Sequence, residues 1–278
     1  MDALLPPEMA ARAEETGVAK ASMDGPRLFT LAVLAGAFIA LGGVFATTAL
    51  AGAGPAPWGP VRVLAGVVFS LGLILVVVGG AELFTGNNLI VMAWAGGRVS
   101  TAALLRNWAV VFAGNLVGAA TTALAVCLAE THRGGEGAFG LAAFAIAHAK
   151  LQPSFHQAVV LGMLCNALVC LAVWLTYSAR TTADRILAVV PPISAFVAAG
   201  FEHSIANMYF VPYAIFVAAF DPDFVVTRGL GPQAQALTWV AFLARNLLPV
   251  TIGNVVGGSV LVGTVYWFVY LRRRGPVR

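Results

Sequence analysis

Charged residues are scarce: Asp, Glu, Lys and Arg together make up 10% of the 278 residues, against about a quarter in a soluble globular domain. That shortage excludes a chain whose outer surface is mostly solvated. Cysteine is rarer, with three residues, Cys127, Cys165 and Cys170, each inside an apolar run and none in a C-x-x-C pair. They read as small buried hydrophobes, and their spacing points to no zinc or iron–sulfur site. The four histidines, His132, His148, His156 and His203, form no H-E-x-x-H or comparable motif. Neither metal nor cofactor is expected, and an intramembrane enzyme has no nucleophile–base set to use. A basic patch interleaved with aromatics is also missing, so the formal charge of +4 does not argue for nucleic acid. Residues 1–27 are mixed in charge and have no early apolar core before a small-residue cleavage site. The first apolar segment is therefore expected to act as an uncleaved insertion signal.

What is present is apolar. Hydrophobic residues make up 60% of the chain and Gly occurs 30 times, with a mean hydropathy of +0.88. Runs of about 20 apolar residues recur, as helices crossing a bilayer require, and glycine favours close helix approach there. The pattern predicts an all-α polytopic membrane protein with six spans, at about 28–50, 61–95, 101–130, 155–178, 187–220 and 234–270. Residues 1–27 read as an N-terminal segment with a short helix near Pro7, 28–270 as one transmembrane domain, and 271–278 as a basic tail. Residues 137–152 read as a helix near the surface or entering a vestibule, and 221–232 as an exposed loop.

Six spans put both termini on one side. Ten Lys and Arg residues lie on that side, among them Arg272, Arg273 and Arg274, against Arg62, Arg133 and Arg228 opposite. Counting Lys150 with the second group leaves the bias intact, so both termini are expected in the cytoplasm.

A repeat runs through the chain. Arg106-Asn107, Gly114-Asn115 and Gly118 recur as Arg245-Asn246, Gly253-Asn254 and Gly257 at an offset of 139. Glu82 and Asn87 recur as Glu202 and Asn207 at an offset of 120. Each half, about 28–130 and 155–270, holds three spans, and an odd number of spans inverts the second half relative to the first. Inverted repeats with interrupted helices belong to transporters and channels, with the site where the repeats meet.

The interruptions are GGAELFTGNN at 79–88 and GFEHSIANMYF at 200–210. A break in mid-membrane is tolerable only beside protein or water. It places helix N-termini near the centre, where free N–H groups suit a small anion. Glu82 and Glu202 are expected to brace the loops by accepting from amides, Asn or Arg, since a bare carboxylate in the path repels an anion. His203 can donate as a neutral ring, attract an anion as a cation, pass a proton to it, or serve as a hydrogen-bonded structural residue. Thr85 offers a hydroxyl toward the same point. Asn166 and Asn207 orient His203 or the loops, or join helices. Lys150 draws anions into an outer funnel or snorkels. Arg106 and Arg245 pack and pair with loop carbonyls.

Taken together, AELFTGNN at 81–88, RNW and GNLVG within 106–118, GMLCNALVCLAVW at 162–174, AAGFEHSIANMYFVP at 198–212 and RNLLPVTIGNVVGG at 245–258 resemble the formate/nitrite transporter family. The resemblance covers about residues 28–270. It implies an aquaporin-like fold with helices 2 and 5 broken, a homopentamer with one pore per protomer, and transport of a small monovalent anion, with or without a proton, across a prokaryotic inner membrane. Formate or nitrite comes first, with hydrosulfide or acetate as alternatives. A neutral-solute pore of the same architecture is the competing reading. The resemblance also implies that His203 and Thr85 form the centre, that Asn166 and Asn207 are their partners, and that Lys150 lies in the outer vestibule. Phe69, Leu73, Leu83, Phe84 and Phe196 are implied as the narrow apolar rings. The GNN that follows ELFT departs from members with Ser or another small residue there, a difference that bears on substrate choice.

Overall fold

The computed structural model describes residues 3–272, so Arg273, Arg274 and Arg278 of the expected basic tail lie outside the described residues. The chain is helical throughout its described core. In order come α1 (Pro6–Ala21), α2 (Gly25–Leu50), α3 (Trp58–Gly79), α4 (Thr101–Leu128), α5 (Ala138–Lys150), α6 (Phe155–Ser178), α7 (Thr182–Ala199), α8 (Ser204–Phe220) and α9 (Trp239–Tyr270). A short irregular helix made of Phe84–Asn87, Asn88–Ile90 and Val91–Ala95 lies between α3 and α4. Local sequence sets the starts. Pro occupies the first turn of α1 and of α2, where its missing N–H is harmless. Asp24 accepts from Arg27 N–H at 3.0 Å, Ser100 from Ala103 N–H at 3.2 Å and Thr181 from Asp184 N–H at 3.1 Å.

Six helices, α2, α3, α4, α6, α7 and α9, are long and apolar enough to cross a bilayer. Large apolar side chains such as Leu41, Phe45, Val117 and Leu164 stand exposed on their outer faces, the pattern of helices that face lipid.

Glycines bring the helices together. An added Cβ on Gly118 would collide with Val33 O of α2, and one on Gly257 with Met163 O of α6. These positions stand 139 apart in the repeat, so α2–α4 and α6–α9 are equivalent close pairs. The long α9 widens to π-helical turns at Phe242–Leu247 and Val256–Thr264. The first lies just before Pro249, whose ring would crowd the carbonyl four residues earlier in a regular helix.

Two expectations need correction. The polar lead contains a full 16-residue helix, α1, which buries Met9, Ala10 and Ala13. The expected loop at 221–232 holds short helices Pro222–Thr227 and Gly231–Ala236, and it buries Phe224, Val225 and Leu230. Its apolar residues were hidden among Pro, Gly and Asp. Asp221 anchors it, with Oδ2 accepting from His132 Nε2 at 2.8 Å and from Arg133, and Oδ1 accepting from Phe224 N–H at 3.1 Å.

The His132 hydrogen bond, then the Phe224 amide and Arg133, hold the Asp221 carboxyl below its ordinary 3.8. A depressed carboxyl contributes stability that is present above its unfolded value and is lost as pH falls through the folded one. Asp221→Asn is therefore expected to lower the thermal stability of detergent-solubilised protein at pH 7. The gap to the parent should narrow as pH falls below the ordinary carboxyl range and the parent loses the same charge.

Candidate functional site

Both breaks begin at a glycine. Gly80 and Gly200 end α3 and α7 with φ of 77° and 78°, a left-handed conformation that only glycine adopts freely. Three extended residues follow, 81–83 and 201–203, and then a new helix starts at Phe84 or at Ser204. One asparagine holds each extended strand. Asn115 Oδ1 accepts from Phe84 N–H at 2.9 Å, while its Nδ2 donates to Ala32 O at 2.7 Å and Glu82 O at 2.9 Å. Asn254 accepts from Ser204 N–H at 2.9 Å and donates to Gly162 O and Glu202 O, each at 2.9 Å. Backbone groups that a break would leave unpaired in hydrocarbon are thereby satisfied.

The glutamates lie in matching clusters. Lys20 Nζ donates to Glu82 Oε1 at 2.8 Å, and Asn87 Nδ2 donates to Glu82 Oε2 at 2.7 Å and Asn107 Oδ1 at 3.0 Å. In the second half Lys150 Nζ donates to Glu202 Oε1 at 2.8 Å, and Asn207 Nδ2 donates to Glu202 Oε2 and Asn246 Oδ1, each at 2.8 Å. Even the lysine carbonyls match, since Asn107 Nδ2 donates to Lys20 O at 3.0 Å and Asn246 Nδ2 to Lys150 O at 2.7 Å. The glutamate partners are thus Asn, as expected, and Lys, which stands where Arg or loop amides were the other expectation. Lys150 is ion-paired and not a free attractor. The equivalence of Lys20 and Lys150 also carries the repeat back into α1 and α5, ahead of the halves that begin at 28 and 155.

Thr85 and His203 meet between the halves. Thr85 Oγ1 lies 3.1 Å from His203 Nε2, and both residues are buried. His203 Nδ1 accepts from Ala206 N–H at 3.1 Å and so caps α8. An accepting Nδ1 carries no proton, so the neutral ring bears its proton on Nε2 and donates it to Thr85. The Thr85 hydroxyl proton is then left for another acceptor. At the repeat position of His203 stands Leu83, which cannot cap its helix, so the symmetry is broken at the centre.

Asn166 does not touch His203. Its Nδ2 lies 3.3 Å from Thr85 O, 2.8 Å from Asn88 Oδ1 and 2.6 Å from Asn254 O. Asn166 thus ties the first break to α9 at Asn254, the residue whose side chain holds the second break. Asn207 likewise reaches Glu202 and Asn246, with no side-chain bond to the ring.

Two cavities open toward this centre from opposite breaks. A proximal one of about 270 Å³, on the side of α1, is lined by Lys20, Leu73, Glu82, Leu83 and Asn87 among others. A smaller distal one of about 60 Å³ is lined by Arg62, Phe69, Lys150, Phe196, His203 and Asn207 among others. Phe69 meets Phe196 edge-on with ring centres 5.8 Å apart, and Phe196 lies flat on His203 at 5.8 Å. Leu73, one turn of α3 on from Phe69, and Leu83 of the first break face the proximal cavity. Phe84 lines neither cavity; it packs edge-on against Phe112 at 5.0 Å and Trp108 at 6.3 Å.

Arg106 donates to Met23 O at 3.1 Å, between α1 and α2. Arg245 is exposed and, among the described residues, holds no such carbonyl. No group of three or more His, Cys, Asp or Glu side chains able to hold a metal ion occurs among the described residues. Sequence reasoning missed the working roles of Lys20, Asn107, Asn115, Asn246 and Asn254. The asparagines were visible as repeat marks, and their even spacing was the available signal. Lys20 had no such mark, because its helix was not part of the recognised repeat.

The chain matches the formate/nitrite transporter family profile over residues 7–268. It is 46% identical to the formate channel FocA of Escherichia coli over 273 residues, which span 98% of this chain and 96% of that one. It is 41% identical to formate channel FocA of Haemophilus influenzae, over 94% of this chain and 93% of the relative. Among solved structures, a pentameric formate channel with formate bound superposes with a TM-score of 0.84 at 45% identity, covering 89% of this chain and 98% of that chain.

Proposed function

The chain belongs to the formate/nitrite transporter family, and we propose that it carries formate across the membrane through a pore in each protomer of a homopentamer. The observation that carries this reading is the buried pair of Thr85 and His203 between two cavities. The formate-bound pentameric relative and the named formate channels support both the substrate and the assembly. Chemical turnover is no part of this reading: the relatives that support it are named as channels.

The path runs from one cavity to the other. Formate enters a cavity whose lysine is hydrogen-bonded to a glutamate, so that polar groups are fixed before the ion arrives. It then meets the apolar rings of Leu73 and Leu83 on the proximal side or Phe69 and Phe196 on the distal side. Moving a bare carboxylate into a medium of low dielectric has an idealised cost on the order of 20 kcal/mol. The centre offsets part of it: the Thr85 hydroxyl donates to the anion, and His203 polarises that hydroxyl through its Nε2–H. The neutral ring has one N–H and keeps Nδ1 on the Ala206 amide, so it works as a donor. A proton that travels with formate is drawn from outside the pair, since the neutral His203 ring has one N–H and holds it on Thr85.

The membrane is the inner membrane of a prokaryotic cell in this reading, with α1 and both termini in the cytoplasm, as the arginine and lysine bias supports. The test is uptake into liposomes holding the purified protein, comparing formate, nitrite, hydrosulfide and acetate with glycerol. Formate entry well above glycerol entry is the expected result. Rapid glycerol entry with no anion entry would overturn the reading in favour of a neutral-solute pore.

A further inference from the structure

The two cavities differ in charge, and the difference lies in one residue outside the repeat. In the proximal cavity the charged side chains are Lys20 and Glu82, which pair with each other. Lys150 of the distal cavity is likewise paired, with Glu202, but that cavity is also lined by Arg62. Arg62 forms no close ion pair with a carboxylate among the described residues. Its Nη2 donates to Val197 O at 2.6 Å and its Nε to Ala198 O at 3.4 Å.

Those carbonyls belong to the last turn of α7, which ends at the second break. A helix C-terminus carries a partial negative charge of about half a unit, and here it faces the distal mouth, where it would repel an anion. The guanidinium covers it and leaves a net positive charge. The Trp58 ring, 6.0 Å from the guanidinium carbon, lies on another side of the same group. Two of the donors of the fork are used on carbonyls, and the others remain available on the wall of the cavity. No arginine lines the proximal cavity itself; Arg12, Arg180 and Arg185 line the wider space that adjoins it on that side.

We propose that Arg62 is the anion-capturing residue of the distal mouth, drawing formate in from that face while masking the end of α7. This rests on the reading of the chain as a formate pore. The charge acts on capture at one face, so the entry affinity of the pore is sided.

The experiment measures formate entry into right-side-out and inside-out membrane vesicles, at low and at physiological ionic strength, for the parent, Arg62→Gln and Arg62→Lys. Arg62→Gln is expected to raise the half-saturating formate concentration about fivefold from the distal face and less than about twofold from the proximal face. The distal effect should shrink in salt. Arg62→Lys keeps the charge and should keep both the distal affinity and its salt dependence near the parent's. Half-saturation that is unchanged, or that moves equally at the two faces, would mean that Arg62 only braces α7, and would overturn the proposal. Distal affinity lost in Arg62→Lys as fully as in Arg62→Gln would also overturn it. A parent that moves no formate at all would instead refute the reading on which the proposal rests.

Discussion

Replacing His203 with Phe is expected to lower formate flux by roughly 10- to 100-fold, because a hydrogen bond serving a charged group is worth about 1.5–3 kcal/mol and each 1.4 kcal/mol is tenfold. Phe has nearly the shape of the histidine ring, so the stacking on Phe196 at 5.8 Å survives. Two things are lost: the Nε2–H that polarises Thr85 at 3.1 Å, and the Nδ1 acceptor that caps Ala206 N–H at 3.1 Å. His203→Asn separates them. Asn is among the preferred caps, so it can restore the start of α8 without the reach of the ring, and its flux should fall between the two. Initial uptake of labelled formate into liposomes, scaled to the amount of folded protein, gives the comparison. Equal flux in the His203→Phe variant and the parent would remove His203 from the transport centre.

The second large effect is on stability. Asn254→Leu leaves Ser204 N–H, Gly162 O and Glu202 O without the partner each has at 2.9 Å. An unpaired buried backbone group costs about 1–3 kcal/mol, so a loss of about 3 kcal/mol or more is expected from a total of about 5–15. Asn115→Leu should do the same to the first break, since Asn115 holds Phe84 N–H, Ala32 O and Glu82 O. Thermal unfolding in detergent, with the recovered oligomer measured alongside, reads both. A shift of less than about 1 kcal/mol in either variant would mean that the break is held by other means.

The spans were legible because lipid demands long apolar runs, and Phe155–Ser178 was read to the residue. The breaks were legible too, since Glu, Thr and Asn have no other business in such runs. Partners across the fold were harder. Asn115 and Asn254 carry the same residue type and spacing as many interhelical asparagines, and only the folded backbone shows that each binds two groups of a break and one carbonyl of a neighbouring helix. Lys20 looked like one cytoplasmic charge among several until α1 brought it to Glu82 at 2.8 Å. Phe84 was placed in a pore ring by the family resemblance, but it opens the helix after the break and its ring packs on Phe112. Arg62 was counted only for topology; that it spans from α3 to the end of α7 depends on helix packing that no local pattern encodes.

The most direct test of the central claim is a high-resolution structure of the protein in saturating formate, with a formate-free structure as control. Density for one formate per protomer within hydrogen-bond distance of Thr85 Oγ1, beside His203 Nε2, is the expected result. Formate found only outside the protomer pores, with the space between Phe196, Leu83 and Thr85 unchanged, would contradict the claim that the Thr85–His203 pair is where the anion crosses.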